Sequence, residues 1–309
     1  MRVVFFGSAA IGFPLLEALL ASAQDEVVAV VTQPDRPAGR KQQLTPCPVK
    51  SFAQERGLPV LSPEKVKDCL PELTAFNADL FVVVAYGQYI PPSVLALPEH
   101  GAINLHPSLL PKYRGSSPIQ WALANGDTVT GVTILYVSEK MDAGDIILQR
   151  NVPIGVDDTS ATLEPVLAAA GAELLMQAIE QIRAGNVLRH PQNDMYASEV
   201  RKLTKEDGRI DWTMSAETLR NRIRGFTPWP GCFCELPDGS RLKILKTIVE
   251  VCTGGVPGEI LEAEGGAGPL VAAGEGALRL IEIQPSGKCA MDGASYLRGY
   301  PMPKGMRLV

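Results

Sequence analysis

The chain has little histidine, no paired cysteines and no excess of positive charge, and each shortage removes a class of function. Its six cysteines (Cys47, Cys69, Cys232, Cys234, Cys252 and Cys289) form no CxxC pair, and only three histidines accompany them among 309 residues. No zinc-site spacing results, and the thiols read as mostly reduced and buried, as in intracellular proteins. A net charge of −5 argues against a protein that coats nucleic acid generally, while leaving room for a local basic surface. A charged leader with a cleavage site is also missing, because Val3-Val4-Phe5-Phe6-Gly7 reads as a first strand. The uncharged run from Leu80 to Pro98 is broken by Gly87, Gln88 and Pro91-Pro92 before it could span a bilayer. The expectation is a cytoplasmic protein with no membrane partner. Gly7 and Gly12 miss the GxGxxG spacing and no GKS or GKT phosphate loop occurs, so dinucleotide binding is weakly supported. No internal repeat or low-complexity tract is present.

What is there fits a soluble protein of two domains, with 46% hydrophobic and 20% charged residues. Apolar strand-like runs at Val3–Phe6, Val27–Val31, Leu80–Ala85, Ala102–Leu105 and Val132–Val137 alternate with helical patterns at Phe13–Ala21, Ser51–Arg56 and 161–183. That alternation implies an α/β domain with a parallel sheet covered on both faces, over residues 1–188. A polar stretch without period, 189–206, reads as a linker. Beyond it, 207–309 holds a short helix at Ala216–Arg224, then short strands separated by turn signals such as Pro237-Asp238-Gly239-Ser240. Such a pattern predicts a small β-barrel or sandwich. Between Gln33 and Lys50 lies an insertion whose prolines and Gly39 argue against any regular element, and which carries four positive residues. Loops of that length are usually functional or mobile.

The richest segment is Asn104-Leu105-His106-Pro107-Ser108-Leu109-Leu110-Pro111-Lys112-Tyr113-Arg114-Gly115, followed by Met141-Asp142-Ala143-Gly144-Asp145. Side chains two apart on a strand share a face, so Asn104 and His106 look into one space while Leu105 packs behind. Pro107 ends the strand and leaves both polar groups at its carboxyl end, where open α/β sheets gather ligands. An amide beside an imidazole suits acyl-type chemistry. Asp142 and Asp145 are equal candidates for the acidic partner, and spacing alone does not choose. The densest basic zone, Arg220, Arg222 and Arg224 with Lys202 and Lys205 upstream, has a solvated helix face as its ordinary explanation, and Glu206, Asp207 and Asp211 dilute it.

On these residues the chain resembles the formyltetrahydrofolate-dependent formyltransferases. Asn104-x-His106-Pro107-Ser108-Leu109-Leu110-Pro111-x-Tyr113-Arg114-Gly115 with Asp142-Ala143-Gly144 is similar to their active-site signature, and Val83-Val84-Ala85-Tyr86-Gly87 to their pterin-lining segment. Three further stretches resemble the branch of that family acting on methionyl-tRNA: 33–40, 202–212 and Pro228-Trp229-Pro230-Gly231. The likeness covers both domains in order. It departs at Gly7-Ser8-Ala9-Ala10-Ile11-Gly12, where the family usually carries Gly-Thr-Pro and an aromatic.

The resemblance implies a Rossmann-like formyltransferase domain followed by an oligonucleotide-binding (OB-like) β-barrel. It implies 10-formyltetrahydrofolate as co-substrate without a metal, and transfer of its formyl group to the α-amine of methionine on initiator tRNA, by a monomer. Asn104, His106 and Asp142 would be catalytic. Val84, Ala85, Tyr86, Gly87, Ser108, Leu109, Leu110 and Pro111 would hold the folate, and Arg36, Arg40, Lys41, Lys202 and Lys205 the RNA. Attack by a neutral amine creates an oxyanion. Asn104 would donate to it, His106 would act as a second donor or as acid and base, and Asp142 would orient His106. Rival readings are a formyltetrahydrofolate hydrolase or a formyltransferase for a small amine, a non-catalytic RNA-binding protein and, more distantly, a nicotinamide oxidoreductase. The basic loop and second domain disfavour the first two, since a small substrate needs neither.

Overall fold

A computed structural model of the chain describes all residues except Arg40, Lys41 and Gly265, and the side chains of the rest save Ala38. The chain forms two compact units. The first comprises Met1–Gly115, Val129–Pro153 and Glu164–Glu199. Its strands are β1 (Arg2–Gly7), β2 (Glu26–Val31), β3 (Arg36–Ala38), β4 (Gln43–Thr45), β5 (Val60–Leu61), β6 (Leu80–Val84), β7 (Ala102–His106), β8 (Arg114–Gly115), β9 (Val129–Tyr136), β10 (Ile146–Pro153) and β11 (Glu199–Val200). One sheet runs in the order β10-β9-β7-β6-β1-β2-β5. From β5 to β7 all neighbours are parallel, and β6 is buried from end to end, as a strand covered on both faces must be.

Two features differ from the expectation of a purely parallel sheet and a loop without regular structure. First, β9 runs antiparallel to both β7 and β10. Its continuous apolar run looks like a buried parallel strand, so composition hides its direction, and the half-polar β10 shows little strand signal at all. Second, the 33–50 stretch holds a small antiparallel pairing of β3 with β4 and the start of a helix at Pro48–Glu55. Pro37 lies in a two-stranded pairing where both strands are edges, which is where proline is tolerated, and Pro48 sits at the first helical turn. The helix Ser160–Arg183 is long and apolar enough by composition to cross a membrane, yet 50% of its apolar window is buried inside the protein. Its Gly171 lets Leu105 of β7 pack closely, since a Cβ there would lie 2.8 Å from Leu105 Cδ1.

The second unit comprises Ser116–Thr128, Ile154–Leu163 and Val200–Val309. Its sheet has β13 (Arg241–Glu250) between β12 (Cys232–Glu235) and β16 (Ala277–Pro285), and β16 continues to β15 (Leu270–Ala272) and β14 (Ile260–Glu262), with β17 (Met291–Asp292) also on β16. All these pairings are antiparallel. The helix Ala216–Gly225 is capped by Ser215, whose hydroxyl accepts from the Thr218 amide. It buries Leu219 and Ile223 against Phe226, Leu242, Ile244 and Leu280. Each such side chain removed from water contributes about 1.5–3 kcal/mol. Cys232 and Cys234 lie in this core, where burial pushes both thiols up to about 12. The motifs 202–212 and Pro228–Gly231 meet here: Gly208 lies so close to Gly231 that a Cβ would fall 2.2 Å from its carbonyl.

Candidate active site

The site is built at the carboxyl end of β7. Asn104 stands beside Val83 of β6 and is half-buried, while His106 is only 4% exposed. His106 Nε2 lies 2.8 Å from the Tyr113 carbonyl. A carbonyl only accepts, so Nε2 carries the hydrogen and donates. Nδ1 is then left facing Asp142 Oδ2 at 3.5 Å. On the other carboxylate oxygen, Asn104 Nδ2 donates to Oδ1 at 3.5 Å. The Gly115 amide donates to Asp142 Oδ2 at 2.8 Å and pins that carboxylate. Asp142 is thus the carboxylate that reaches both Asn104 and His106. It sits in the left-handed region at φ +50, as does Tyr113 at φ +63. Strain of this kind persists only where surrounding bonds enforce it.

The signature loop between His106 and Arg114 is such a surrounding. Ser108 Oγ donates to the Lys112 carbonyl at 2.7 Å, and Thr133 Oγ1 donates to the Ser108 carbonyl at 2.7 Å. Leu110 is held at both backbone groups: its amide donates to Thr133 Oγ1, and its carbonyl accepts from Gln149 Nε2 at 2.8 Å. Leu109 packs on Gly131, where a Cβ would lie 2.5 Å from its side chain. What Ser108, Leu109, Leu110 and Pro111 form is therefore a fixed loop beside the pair.

The neighbouring end of β6 lies where the strand order reverses, between β1 and β6, the usual crevice for ligands in an open sheet. Val84 is buried. Ala85 and Gly87 are exposed and take positive φ, +47 and +77. The Tyr86 side chain turns into the core, 2% exposed and edge-on to Phe6, so its backbone is what faces the crevice. Burial pushes its phenol up, and its hydroxyl has no partner among the described residues. The Tyr86 carbonyl accepts from Ser8 Oγ at 3.1 Å and Gln33 Nε2 at 3.0 Å. Ser8 and Gln33 thus tie the ends of β1, β2 and β6, a role that glycine-motif spacing does not reveal. A cavity of about 540 Å³ opens here, lined by Gln33, Arg36, Lys65, Gly87, Gln88 and Tyr89 among others.

The basic residues divide. Arg36 is exposed and lies 3.2 Å from Glu64. Arg40 and Lys41 fall outside the described residues. Lys202 and Lys205 are exposed. By contrast, the arginines of the dense zone serve structure: Arg220 donates to the Val156 carbonyl, Arg222 to that of Asp207 and Arg224 to Asn221 and the Gly155 carbonyl.

Comparison with known proteins fits this geometry. Residues 1–179 match the family described as formyl transferase, and residues 202–301 its C-terminal domain. Methionyl-tRNA formyltransferase of Geobacter sulfurreducens is 42% identical over 310 residues, spanning 100% of this chain and 96% of its own length. That of Listeria monocytogenes is 45% identical over 302 residues, 96% of this chain and 95% of its own. The chain belongs to the methionyl-tRNA formyltransferase family. It is accordingly a formyltransferase, of a family that uses a formylated tetrahydrofolate. Among solved structures, an N-formyltransferase from Helicobacter canadensis with folinic acid and dTDP-3-aminofucose has a TM-score of 0.67 at 18% identity, covering 91% of this chain and 99% of that one. HypX from Aquifex aeolicus with tetrahydrofolic acid has a TM-score of 0.62 at 20% identity, covering all of this chain and half of HypX. Both likenesses are of fold.

Proposed function

We propose that this chain moves the formyl group of 10-formyltetrahydrofolate to the α-amine of methionine on initiator tRNA, giving N-formylmethionyl-tRNA and tetrahydrofolate. The observation that carries the reading is the meeting of Asn104, His106 and Asp142 at one strand end. The amine nitrogen bonds to the formyl carbon, and the carbonyl π electrons move to oxygen. Asn104 Nδ2 is the oxyanion donor, worth most when it is fixed before reaction. The His106–Asp142 pair takes up the proton leaving the attacking nitrogen, with the ring held at Nε2 by the Tyr113 carbonyl and Nδ1 turned to Asp142 Oδ2. The imidazolium lies against the Asp142 carboxylate. Collapse of the tetrahedral species breaks the bond from carbon to N10, and the proton passes to that nitrogen.

For the folate, exposed backbone at Ala85 and Gly87 beside the fixed Ser108–Pro111 loop supports a flat ring read by main-chain groups, with Val84 and Tyr86 behind it. For the RNA, exposed Lys202, Lys205 and Arg36 support phosphate contact, with Arg40 and Lys41 assigned by resemblance. The antiparallel second unit supports an OB-like barrel, and the enzyme acts in the cytoplasm as a monomer on this reading. The test is formylation by the purified chain with 10-formyltetrahydrofolate and each of Met-tRNA, free methionine and a dTDP-amino sugar. Product with Met-tRNA alone is expected; equal use of a small amine, or hydrolysis of the donor alone, contradicts the assignment.

A further inference from the structure

The segment following the long helix, unstructured by sequence pattern, makes some of the best-formed side-chain contacts next to the site. Gln192 Nε2 donates to the carbonyls of both Asp142 and Gly144, each at 2.8 Å. Its Oε1 accepts from Arg114 Nε at 3.0 Å and from the same guanidinium's terminal nitrogen at 2.8 Å. Arginine only donates and a carbonyl only accepts, so the amide has one orientation and all of these bonds are made together. Arg114 is 3% exposed, and its other terminal nitrogen donates to Asp194 at 2.8 Å. Lys140 closes the ring on the second Asp194 oxygen at 3.2 Å. Arg114 and Lys140 together hold that carboxyl below its ordinary range.

Three stretches of chain meet in this clamp. Arg114 lies beside Gly115, whose amide pins the Asp142 carboxylate, and next to Tyr113, whose carbonyl sets the His106 ring. Lys140, Asp142 and Gly144 belong to the loop that carries the carboxylate itself. The third stretch contributes Gln192, Asp194 and Ser198. Ser198 Oγ accepts from the Tyr113 amide at 2.8 Å, and its carbonyl accepts from the Arg114 amide. Asp142 needs such support because of its left-handed backbone. Gly144 needs it as well, since its Cα approaches the Tyr136 carbonyl so closely that a Cβ would fall 1.8 Å away.

We propose that Gln192 is a positioning residue for formyl transfer: its amide holds the Asp142 loop to Arg114, and so fixes the Asp142 carboxylate against Asn104 and His106. The inference rests on the function proposed above. A substrate-binding role would act on KM, whereas a positioning role acts on kcat and only while Asp142 retains its own function. The experiment is a double-mutant cycle of Gln192→Leu and Asp142→Asn, read by formylation kinetics with Met-tRNA and 10-formyltetrahydrofolate. In the wild-type background Gln192→Leu should lower kcat about 10²-fold, the scale of a misplacement of about 1 Å, with KM for both substrates nearly unchanged. In the Asp142→Asn background it should add little, because residues that act as one unit are not additive. An equal loss in both backgrounds, or a rise in KM with kcat intact, overturns the proposal. Should the leucine variant not unfold cooperatively, Gln192→Glu carries the same cycle, because it keeps the acceptor for Arg114 but loses the two donated bonds. If the wild-type chain itself forms no product, it is the underlying function that fails.

Discussion

The Asp142 carboxylate is held at three points, by Asn104 Nδ2 on one oxygen and by the His106 ring and the Gly115 amide on the other. Asp145 lies across the same small turn at a comparable sequence distance from His106, so spacing alone does not rank the two. The backbone decides: Asp142 turns left-handed and sends its oxygens to Asn104 and His106, and the Gly115 amide locks it there. Asp142→Asn should therefore lower turnover by about 10²-fold or more, since an imidazole stripped of its counter-charge loses acid and base power. Asp145→Asn should stay close to wild type in the same kinetic assay. A loss confined to Asp145→Asn would contradict the assignment of Asp142 as the carboxylate that orients His106. The placing of Asn104 and His106 on one face is legible in the sequence, because the period of a strand puts both there and Pro107 ends it.

Among elements, those with strong local signals are legible in the sequence, and those defined by distant partners are not. The helix Phe13–Ala21 and the strand runs of β1, β2, β6 and β7 follow from apolar period and length. β10 escaped because half of its residues face out, and β11 because two residues carry no period. Gln192 and Ser198 carry no local signal because their partners are about 50 to 85 residues away in the chain. In the second unit, the motif around Asp207 shows how a polar signature acts structurally. Arg201 grips the Asp207 carboxylate, and Thr204 donates to it through both its amide and its hydroxyl. The Arg201 guanidinium, ahead of the Thr204 bonds, holds this carboxyl well below its ordinary value of 3.8 despite burial acting the other way. A carboxyl lowered in the folded state stabilises the fold above its unfolded pKa, and that contribution is lost as pH falls through the folded value. Thermal unfolding should thus show Asp207→Asn melting below wild type at pH 7, with the gap closing progressively below about pH 4. A gap that stayed constant down to pH 2 would deny the ion pair this role.

At the level of the whole molecule, a net charge of −5 and a tRNA substrate are compatible only if binding is local. The arginines of the helix Ala216–Gly225 are occupied by carbonyl and amide partners of their own unit, so density of charge in sequence misleads about which cations reach a ligand. Exposed Lys202 and Lys205 are the better candidates. Replacing both by alanine should raise KM for Met-tRNA and flatten its dependence on salt, since fewer counterions are released on binding. The folate KM and kcat should hold. A change confined to kcat would move these lysines out of the RNA-binding surface.

The amide, imidazole and carboxylate that meet at the end of β7 are proposed to carry out formyl transfer to Met-tRNA. The single-turnover rate of N-formylmethionyl-tRNA formation, with enzyme and both substrates saturating, compares wild type with Asn104→Ala. Loss of one oxyanion donor predicts a rate lower by about 10²–10³-fold in a protein that still unfolds cooperatively. A rate equal to wild type would remove Asn104 from the reaction.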